Sequence, residues 1–214
     1  MKHILALHGF RTNGNIMSWQ IGSIARNSPS SKFYTPDGPH RTSDTYDDIR
    51  TFFPKETTYN MWFNMIDSEP RGIDDSFNLL SRMYPNILSS EQSGSSEQSG
   101  SSEQSGSSDA QHSHTLVALG FSQGASMVSA LISRGLCKRA VLICHGPYVP
   151  DLGDSKADVL FVVGKTDPLR EFAENAIATY RRGPSTVSVV YFDDGHKVPR
   201  DATTLAIISE FINA

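Results

Sequence analysis

Short apolar runs alternate with segments of helical periodicity along most of this chain, and this alternation constrains its fold more than any other feature. Several runs are continuous in Val, Ile and Leu, as in parallel strands that are covered on both faces. We predict strands at residues 3–7, 32–35, 114–120, 140–144, 158–163 and 186–192, and helices at about 15–27, 72–82, 123–134, 169–181 and 202–213. This alternation indicates the α/β class: a mainly parallel sheet of about six strands, with right-handed crossovers and helices on both faces.

Residues 89–108 interrupt this alternation with three copies of Ser-Ser-Glu-Gln-Ser-Gly followed by Ser-Ser. Such a composition cannot bury apolar surface, so we predict a flexible, low-complexity surface loop between a helix and a strand. A neutral expansion of that loop is favoured over a phosphorylated or partner-binding tract.

The 214 residues as a whole fit a single domain, 1–214, that carries this insert.

Charge and hydropathy exclude several classes of partner. The formal net charge is −4, and three of the negative charges belong to the repeat, at Glu91, Glu97 and Glu103. The rest of the chain is therefore close to neutral and offers no basic surface to a nucleic acid. No apolar run reaches the length of a membrane span, and the apolar start of the chain is too short for a secretory signal. We therefore expect a cytoplasmic protein, and the sequence gives no indication of its oligomeric state.

The two cysteines, Cys137 and Cys144, fall in predicted regular elements. Buried thiols are the favoured interpretation, because the positions fit neither a disulfide framework nor a zinc site. The His, Cys and Asp residues show no metal-ligand spacing, so we predict that the protein binds no metal.

Residues 120–124 read Gly-Phe-Ser-Gln-Gly and lie between a predicted buried strand and a predicted helix. The G-x-S-x-G pattern is the form of a nucleophile elbow, in which a serine sits on a strained strand-to-helix turn with its hydroxyl exposed. Glycine is required on both sides because side chains there would collide with the neighbouring strand and helix. Composition alone produces such a match fairly often, so an ordinary glycine turn is the alternative. The flanking elements favour Ser122 as a nucleophile.

A serine nucleophile needs a base, and the base needs an acid that orients it. Asp167 follows the predicted strand 158–163, and His196 follows the predicted strand 186–192. Because the carboxyl ends of parallel strands meet at one edge of the sheet, both side chains are expected to reach Ser122.

Each of these two residues has a plainer interpretation. Asp167 precedes a proline and could be only the N-cap of a helix, and His196 could be a surface residue of its loop. Asp193 and Asp194 are rival acids, but they share the loop of His196 and are better explained as turn residues. Of the other histidines, His145 follows the wrong strand to serve as the base.

An oxyanion hole requires two backbone donors. The N–H of Gln123, at the start of the helix after the serine, is the first candidate. The second donor is expected in the loop after the first long strand. Gly9 permits a close approach there, and the N–H of Phe10 is the candidate; an ordinary glycine turn is the alternative.

Together these segments resemble the family of serine hydrolases (FSH), over nearly the whole chain except residues 89–108. The matching stretches are residues 7–14 (LHGFRTNG), 36–40 (PDGPH), 120–125 (GFSQGA), 163–167 (VGKTD) and 195–199 (GHKVP). The resemblance implies an α/β-hydrolase fold, a triad of Ser122, Asp167 and His196, and carboxylesterase chemistry without a cofactor. Acyl-protein thioesterases and small carboxylesterases look similar around the pentad but fit the first loop less well.

The chain departs from the family in two places. Residues 109–113 and the repeat stand where the family has a short turn before the nucleophile strand, and residues 144–147 (CHGP) stand where it more often has a serine and an apolar residue. The second departure predicts a different pocket wall.

The sequence constrains the identity of the substrate less than it constrains the type of reaction. Met61, Trp62 and Phe63 lie in a long connection that could wall the site, or they could be core residues of a short helix. The connection after Cys144 is short, which predicts a minimal cap and an open cleft for a short- to medium-chain acyl ester. The alternatives are an acyl-protein thioesterase or lysophospholipase-like hydrolase, a transacylase, an enzyme that acts on carbon–carbon bonds with the same triad, and a binding protein without turnover.

Overall fold

A computed structural model of the chain describes residues 1–85 and 116–214. The repeat at 89–108 lies outside the described residues. Ten strands occur in the described part: β1 (Lys2–Leu7), β2 (Ser31–Tyr34), β3 (His40–Thr42), β4 (Tyr59–Met61), β5 (Asn64–Ile66), β6 (Glu69–Arg71), β7 (Leu116–Phe121), β8 (Arg139–Ile143), β9 (Asp158–Gly164) and β10 (Thr186–Phe192). The same residues form seven helices: α1 (Gly14–Gln20), α2 (Gly22–Asn27), α3 (Asp47–Phe52), α4 (Ile73–Met83), α5 (Gln123–Ser133), α6 (Arg170–Arg182) and α7 (Ala202–Asn213).

Six strands form a central sheet in the order β10-β9-β8-β7-β1-β2, and every neighbouring pair is parallel. The predicted α/β class and strand number are therefore confirmed. Strand β7 lies between β8 and β1, so the turn that follows it is flanked by the loops after both. The carboxyl ends of β9 and β10 lie at the same edge of the sheet, because all six strands run in one direction.

Helices cover both faces of this sheet. The alternation of β1 shows the two layers, since Leu5 and Leu7 join one apolar cluster and Ile4 and Ala6 join the other. The first cluster packs under α4, α5 and α6, and the second under α1, α2 and α7. Within residues 1–85 and 116–214, the structure contains no helix with the length and hydropathy needed to cross a membrane.

The structure corrects the predicted elements in a few places. The predicted helix 15–27 is two helices, which meet at Ile21. The segment 59–66 contains strands β4 and β5, so it does not form the short helix that was one interpretation of this segment. The tight turn at Asp67 and Ser68, with φ of 51° and 65°, pairs β5 with β6 in a hairpin. Helix α3 and the two small antiparallel sheets, β3-β4 and β5-β6, were not predicted from the sequence.

Candidate active site

The turn between β7 and α5 holds Ser122 in a strained conformation. Its φ of 55° and ψ of −118° are rarely adopted by a residue with a side chain. A Cβ at Gly120 would lie under 3.0 Å from the backbone of α5, and one at Gly124 would lie under 3.0 Å from the carbonyl oxygen of Leu7. Both glycines are therefore required by close approach, as the pentad predicts.

Backbone hydrogen bonds fix this turn from both sides. The Ser122 N–H donates to the carbonyl of Ile143 in β8 at 3.0 Å. The Ser122 carbonyl accepts the N–H of Ala125 at 2.9 Å, which begins α5, and the N–H of Gly146 at 3.0 Å from the loop after β8. The half-buried Ser122 side chain is thus presented at the carboxyl edge of the sheet.

Ser122, His196 and Asp167 lie in one hydrogen-bonded row. His196 Nε2 is 2.9 Å from Ser122 Oγ, and His196 Nδ1 is 2.8 Å from Asp167 Oδ2. The Asp167 side chain is 1% exposed and that of His196 is 24% exposed, so the acid is buried while the imidazole remains open to solvent. A carboxylate accepts only, so Nδ1 carries the proton towards Asp167 and Nε2 of the neutral ring faces the serine hydroxyl.

Close packing of two loops brings Asp167 and His196 together. A Cβ at Gly164 would lie under 3.0 Å from the carbonyl oxygen of Gly195, so only glycine lets the loop of His196 approach the end of β9. Thr166 N–H also donates to the carbonyl of Asp194 at 3.1 Å.

The other Asp167 oxygen accepts the N–H of Leu169 at 2.7 Å, so this residue also makes the N-cap-type contact that the sequence allowed. The rival acids point elsewhere. Asp193 pairs with Lys165 at 2.6 Å, and Asp194 accepts the Gly195 N–H at 2.7 Å, as expected of turn residues.

The loop after β1 lies against the elbow. A Cβ at Gly9 would be 3.2 Å from the Phe121 ring and 3.6 Å from the Cβ of Ser122. Phe10, the next residue, is half-buried, and Arg11 has a φ of 54° in the left-handed region. The structure therefore brings the loop of Phe10 beside Ser122, where Gln123 begins α5.

A buried histidine holds that loop. His8 Nδ1 lies 2.8 Å from the carbonyl of Gly9, and Nε2 accepts the backbone N–H of Gly38 at 3.0 Å. These partners fix one tautomer, with the proton on Nδ1. Burial lowers the pKa of His8 to about 4, so the ring is neutral at neutral pH. His8 thus ties the loop after β1 to the loop after β2.

The three candidate pocket residues are parts of the core. Trp62 and Phe63 are 0% exposed and Met61 is 9% exposed. Trp62 Nε1 donates to the carbonyl of His8 at 2.9 Å. The Gln123 side chain accepts the Trp62 N–H at 3.0 Å and donates to the Phe63 carbonyl at 2.8 Å. The core interpretation is therefore favoured over an acyl pocket; Met61 ends β4, and Trp62 and Phe63 connect β4 to β5.

Cys144 lies beside the row of side chains, and both cysteines are free and buried. Its Sγ and one ligand atom each of Asp167 and His196 lie within 4.8 Å of one another, which is a donor set that a soft metal ion could use. Burial, together with the nearby Asp167, raises the pKa of this thiol to about 12. In the absence of a metal ion this thiol is therefore protonated at neutral pH, and the sequence analysis did not anticipate this cluster.

A parallel sheet whose central strand ends in a serine elbow, with an aspartate and a histidine after later strands, is the architecture of the α/β-hydrolase class. The comparisons with known proteins agree with this class. The chain belongs to the serine hydrolase (FSH1) family, whose model matches residues 1–208. The resemblance noted from the sequence is thereby confirmed.

Solved structures share the fold at low identity. A carboxylesterase from Mesorhizobium loti is 16% identical with a TM-score of 0.63, and the match covers 100% of this chain and 88% of that one. SOBER1 from Arabidopsis thaliana is 13% identical with a TM-score of 0.64 and coverage of 99% and 97%. The esterase PE8 is 20% identical with a TM-score of 0.60 and coverage of 98% and 92%. No curated protein sequence matches the chain.

The sequence analysis did not identify the buried residues whose hydrogen bonds support the loops around Ser122. His8, His145 and the side chain of Gln123 make buried hydrogen bonds to backbone groups or hydroxyls in other elements. A recurring dipeptide was the available signal, since His-Gly follows both β1 and β8. Hydrophobic periodicity could not predict the hydrogen bonds of these two histidines, because their partners are distant in sequence.

Proposed function

We propose that the protein is a carboxylesterase that cleaves short- to medium-chain acyl esters through a Ser122–His196–Asp167 triad and an acyl-enzyme intermediate. The observation that carries this proposal is the pair of hydrogen bonds at 2.9 Å and 2.8 Å that joins the three side chains. Membership in the serine hydrolase family supports the same chemistry.

In the proposed mechanism His196 is the general base. Its Nε2 takes the Ser122 proton as Oγ attacks the ester carbonyl, and the resulting imidazolium is stabilised by the buried Asp167 carboxylate. His196 then returns the proton to the leaving alcohol. Water, activated by the same nitrogen, attacks the acyl-enzyme, releases the acid and regenerates the serine.

The backbone N–H groups of Phe10 and Gln123 are proposed to bind the oxyanion. Gln123 is the first residue of α5, and the first N–H groups of a helix have no acceptor within it. The contact of Gly9 with the elbow supports a donor from the loop after β1. Removal of one such donor commonly lowers the rate by about 10²–10³.

The absence of a cap in the described residues supports a substrate of modest size. The structure assigns no helix or strand to residues 144–157, the connection in which a cap would be inserted. His196 keeps 24% of its side chain exposed, so the base is accessible without a lid. We propose a small-molecule acyl ester as the substrate, with neither metal nor cofactor in the reaction.

A panel of p-nitrophenyl esters from acetate to laurate tests this function. We expect turnover with an optimum at short to medium chains, and Asp167→Asn should lower kcat by about 10³–10⁴ because the imidazole loses its orienting carboxylate. Asp193→Asn is the matched control and should retain kcat within about twofold, since this carboxylate pairs with Lys165 on the surface.

No turnover of any ester by the wild-type protein would favour a binding protein on this scaffold. Equal losses in the two aspartate variants would contradict the assignment of Asp167.

A further inference from the structure

The loops after the two strands that flank β7 contain the same dipeptide, His8-Gly9 after β1 and His145-Gly146 after β8. Both imidazoles are buried, at 0% and 1% exposure. Each Nδ1 bonds the carbonyl of the glycine that follows, at 2.8 Å for His8 and 2.7 Å for His145. Two unrelated loops thus use one local geometry beside Ser122.

The loop of His145 contacts the nucleophile residue directly. Gly146 N–H donates to the Ser122 carbonyl at 3.0 Å, and a Cβ at Gly146 would lie 3.0 Å from that same oxygen. The proposed mechanism gives His145 no role, yet its loop supplies a hydrogen bond to the Ser122 carbonyl in addition to those from Ala125 and Ser126 in α5. The conformation of residue 122 therefore depends on where this loop lies.

A directed chain of hydrogen bonds fixes the loop. Tyr180 O–H in α6 donates to Ser129 Oγ at 3.0 Å, and Ser129 Oγ lies 2.8 Å from His145 Nε2. A carbonyl only accepts, so Nδ1 must carry the proton and Nε2 of the neutral ring must accept from Ser129. Burial keeps the ring neutral by lowering its pKa to about 4.

We propose that His145, oriented by Ser129 and Tyr180, is a positioning residue that holds the Gly146 loop against Ser122 and so sets the geometry of the nucleophile. Tyr180 occupies one lone pair of Ser129 and leaves the Ser129 proton directed at His145. Without Tyr180 O–H, the Ser129 hydroxyl can turn to a carbonyl of its own helix. The imidazole can then adopt the other tautomer, in which Nδ1 no longer donates to Gly146.

Two substitutions of His145 separate positioning from stability. His145→Asn keeps a donor near the Nδ1 position and loses the contact with Ser129, whereas His145→Gln reaches Ser129 and loses the donor to the Gly146 carbonyl. The readouts are the second-order rate of Ser122 labelling by a fluorophosphonate and the kcat and KM for p-nitrophenyl acetate. Both are measured well below the melting temperature of each variant.

We expect His145→Gln to lower the labelling rate and kcat by about tenfold or more with little change in KM, because a small misplacement of a nucleophile is costly. His145→Asn should lose less than about threefold. Wild-type rates in a folded His145→Gln variant would overturn the proposal. It would also be overturned if the rate losses of the two variants correlated with their melting temperatures and not with the presence of a donor to the Gly146 carbonyl.

If His145→Gln does not fold, a second pair of variants tests the positioning role of His145. Tyr180→Phe removes one buried hydroxyl of the chain of hydrogen bonds, and Tyr59→Phe removes a buried hydroxyl that donates to the Glu56 carbonyl instead. Labelling about two- to fivefold slower in Tyr180→Phe than in Tyr59→Phe supports positioning, and equal rates refute it. The inference rests on the proposed role of Ser122: an unlabelled wild type refutes that function, whereas a labelled wild type with unaffected variants refutes only this inference.

Discussion

Three histidines surround Ser122, and their nitrogens have different tasks. His196 is partly exposed, with its Nε2 directed at Ser122 Oγ. His8 and His145 are buried and neutral, and each uses Nδ1 to bond the carbonyl of the next residue. Solvent access therefore separates the histidine that we propose as the general base from the two histidines that hold backbone groups in place.

The two buried histidines predict a dependence of stability on pH. Burial lowers the pKa of each from 6.5 to about 4. Between these values the unfolded chain binds more protons than the folded chain, so stability is complete above about pH 6.5 and is lost as the pH falls towards 4. Since one pKa unit corresponds to about 1.36 kcal/mol, each histidine accounts for up to about 3 kcal/mol.

Urea unfolding followed by circular dichroism between pH 7 and 4.5 measures this loss. We expect the midpoint to fall steeply as the pH decreases, and to fall less steeply in His145→Asn, which carries one such group fewer. A midpoint that stays constant over this range would contradict the assignment of two buried neutral imidazoles.

At the scale of elements, the segment around Trp62 is held in place by hydrogen bonds from α5. Its own sequence has no periodicity that would predict its conformation. The Gln123 side chain bonds the Trp62 N–H and the Phe63 carbonyl, and it is buried between them. The sequence predicts a role for Gln123 through its backbone N–H more than through its side chain. In the structure its side chain also links helix α5 to the buried segment around Trp62.

Replacement of this side chain by one of similar size tests that link. Gln123→Met leaves two buried backbone groups without partners, so we expect the free energy of unfolding to decrease by about 2–4 kcal/mol. Gln20→Met is the matched control, because Gln20 Oε1 has no hydrogen-bond partner among the described residues. Urea denaturation of both variants measures the difference; a loss in Gln20→Met as large as in Gln123→Met would contradict this account.

The sequence predicts elements where a pattern is local and long. The six strands of the sheet have apolar runs, and Asp167 and His196 stand just after two of them, so strand and site could be found together. The strands at 59–66 are three residues each, too short for a periodicity. Strand β4 pairs with the distant β3, and the pairing of β5 with β6 depends on a turn at Asp67. His8 and Gly38 are 30 residues apart, a contact that no local pattern encodes.

At the scale of the molecule, the family match spans residues 1–208 and therefore runs across the repeat. Every residue proposed for the reaction lies in the described ranges, before Pro85 or after Leu116. The single-domain interpretation and the role of residues 89–108 remain predictions from the sequence. The composition of that repeat gives it no apolar surface to contribute to a core.

Deletion of residues 89–108 should leave kcat and KM for p-nitrophenyl esters within about twofold of the full chain. The matched control keeps the length but replaces the repeat with a scrambled sequence of the same composition. A large loss of kcat on deletion, with activity kept in the scrambled control, would show that the length of this segment contributes to the site.

The central claim is that Ser122 is acylated. Its most direct measurement is peptide mapping by mass spectrometry after reaction with a fluorophosphonate, with Ser122→Ala as the comparison and Ser133→Ala, on the same helix, as the control. We predict a single adduct on the peptide that contains Ser122, present in Ser133→Ala and absent in Ser122→Ala. An adduct that persists in Ser122→Ala would contradict the account.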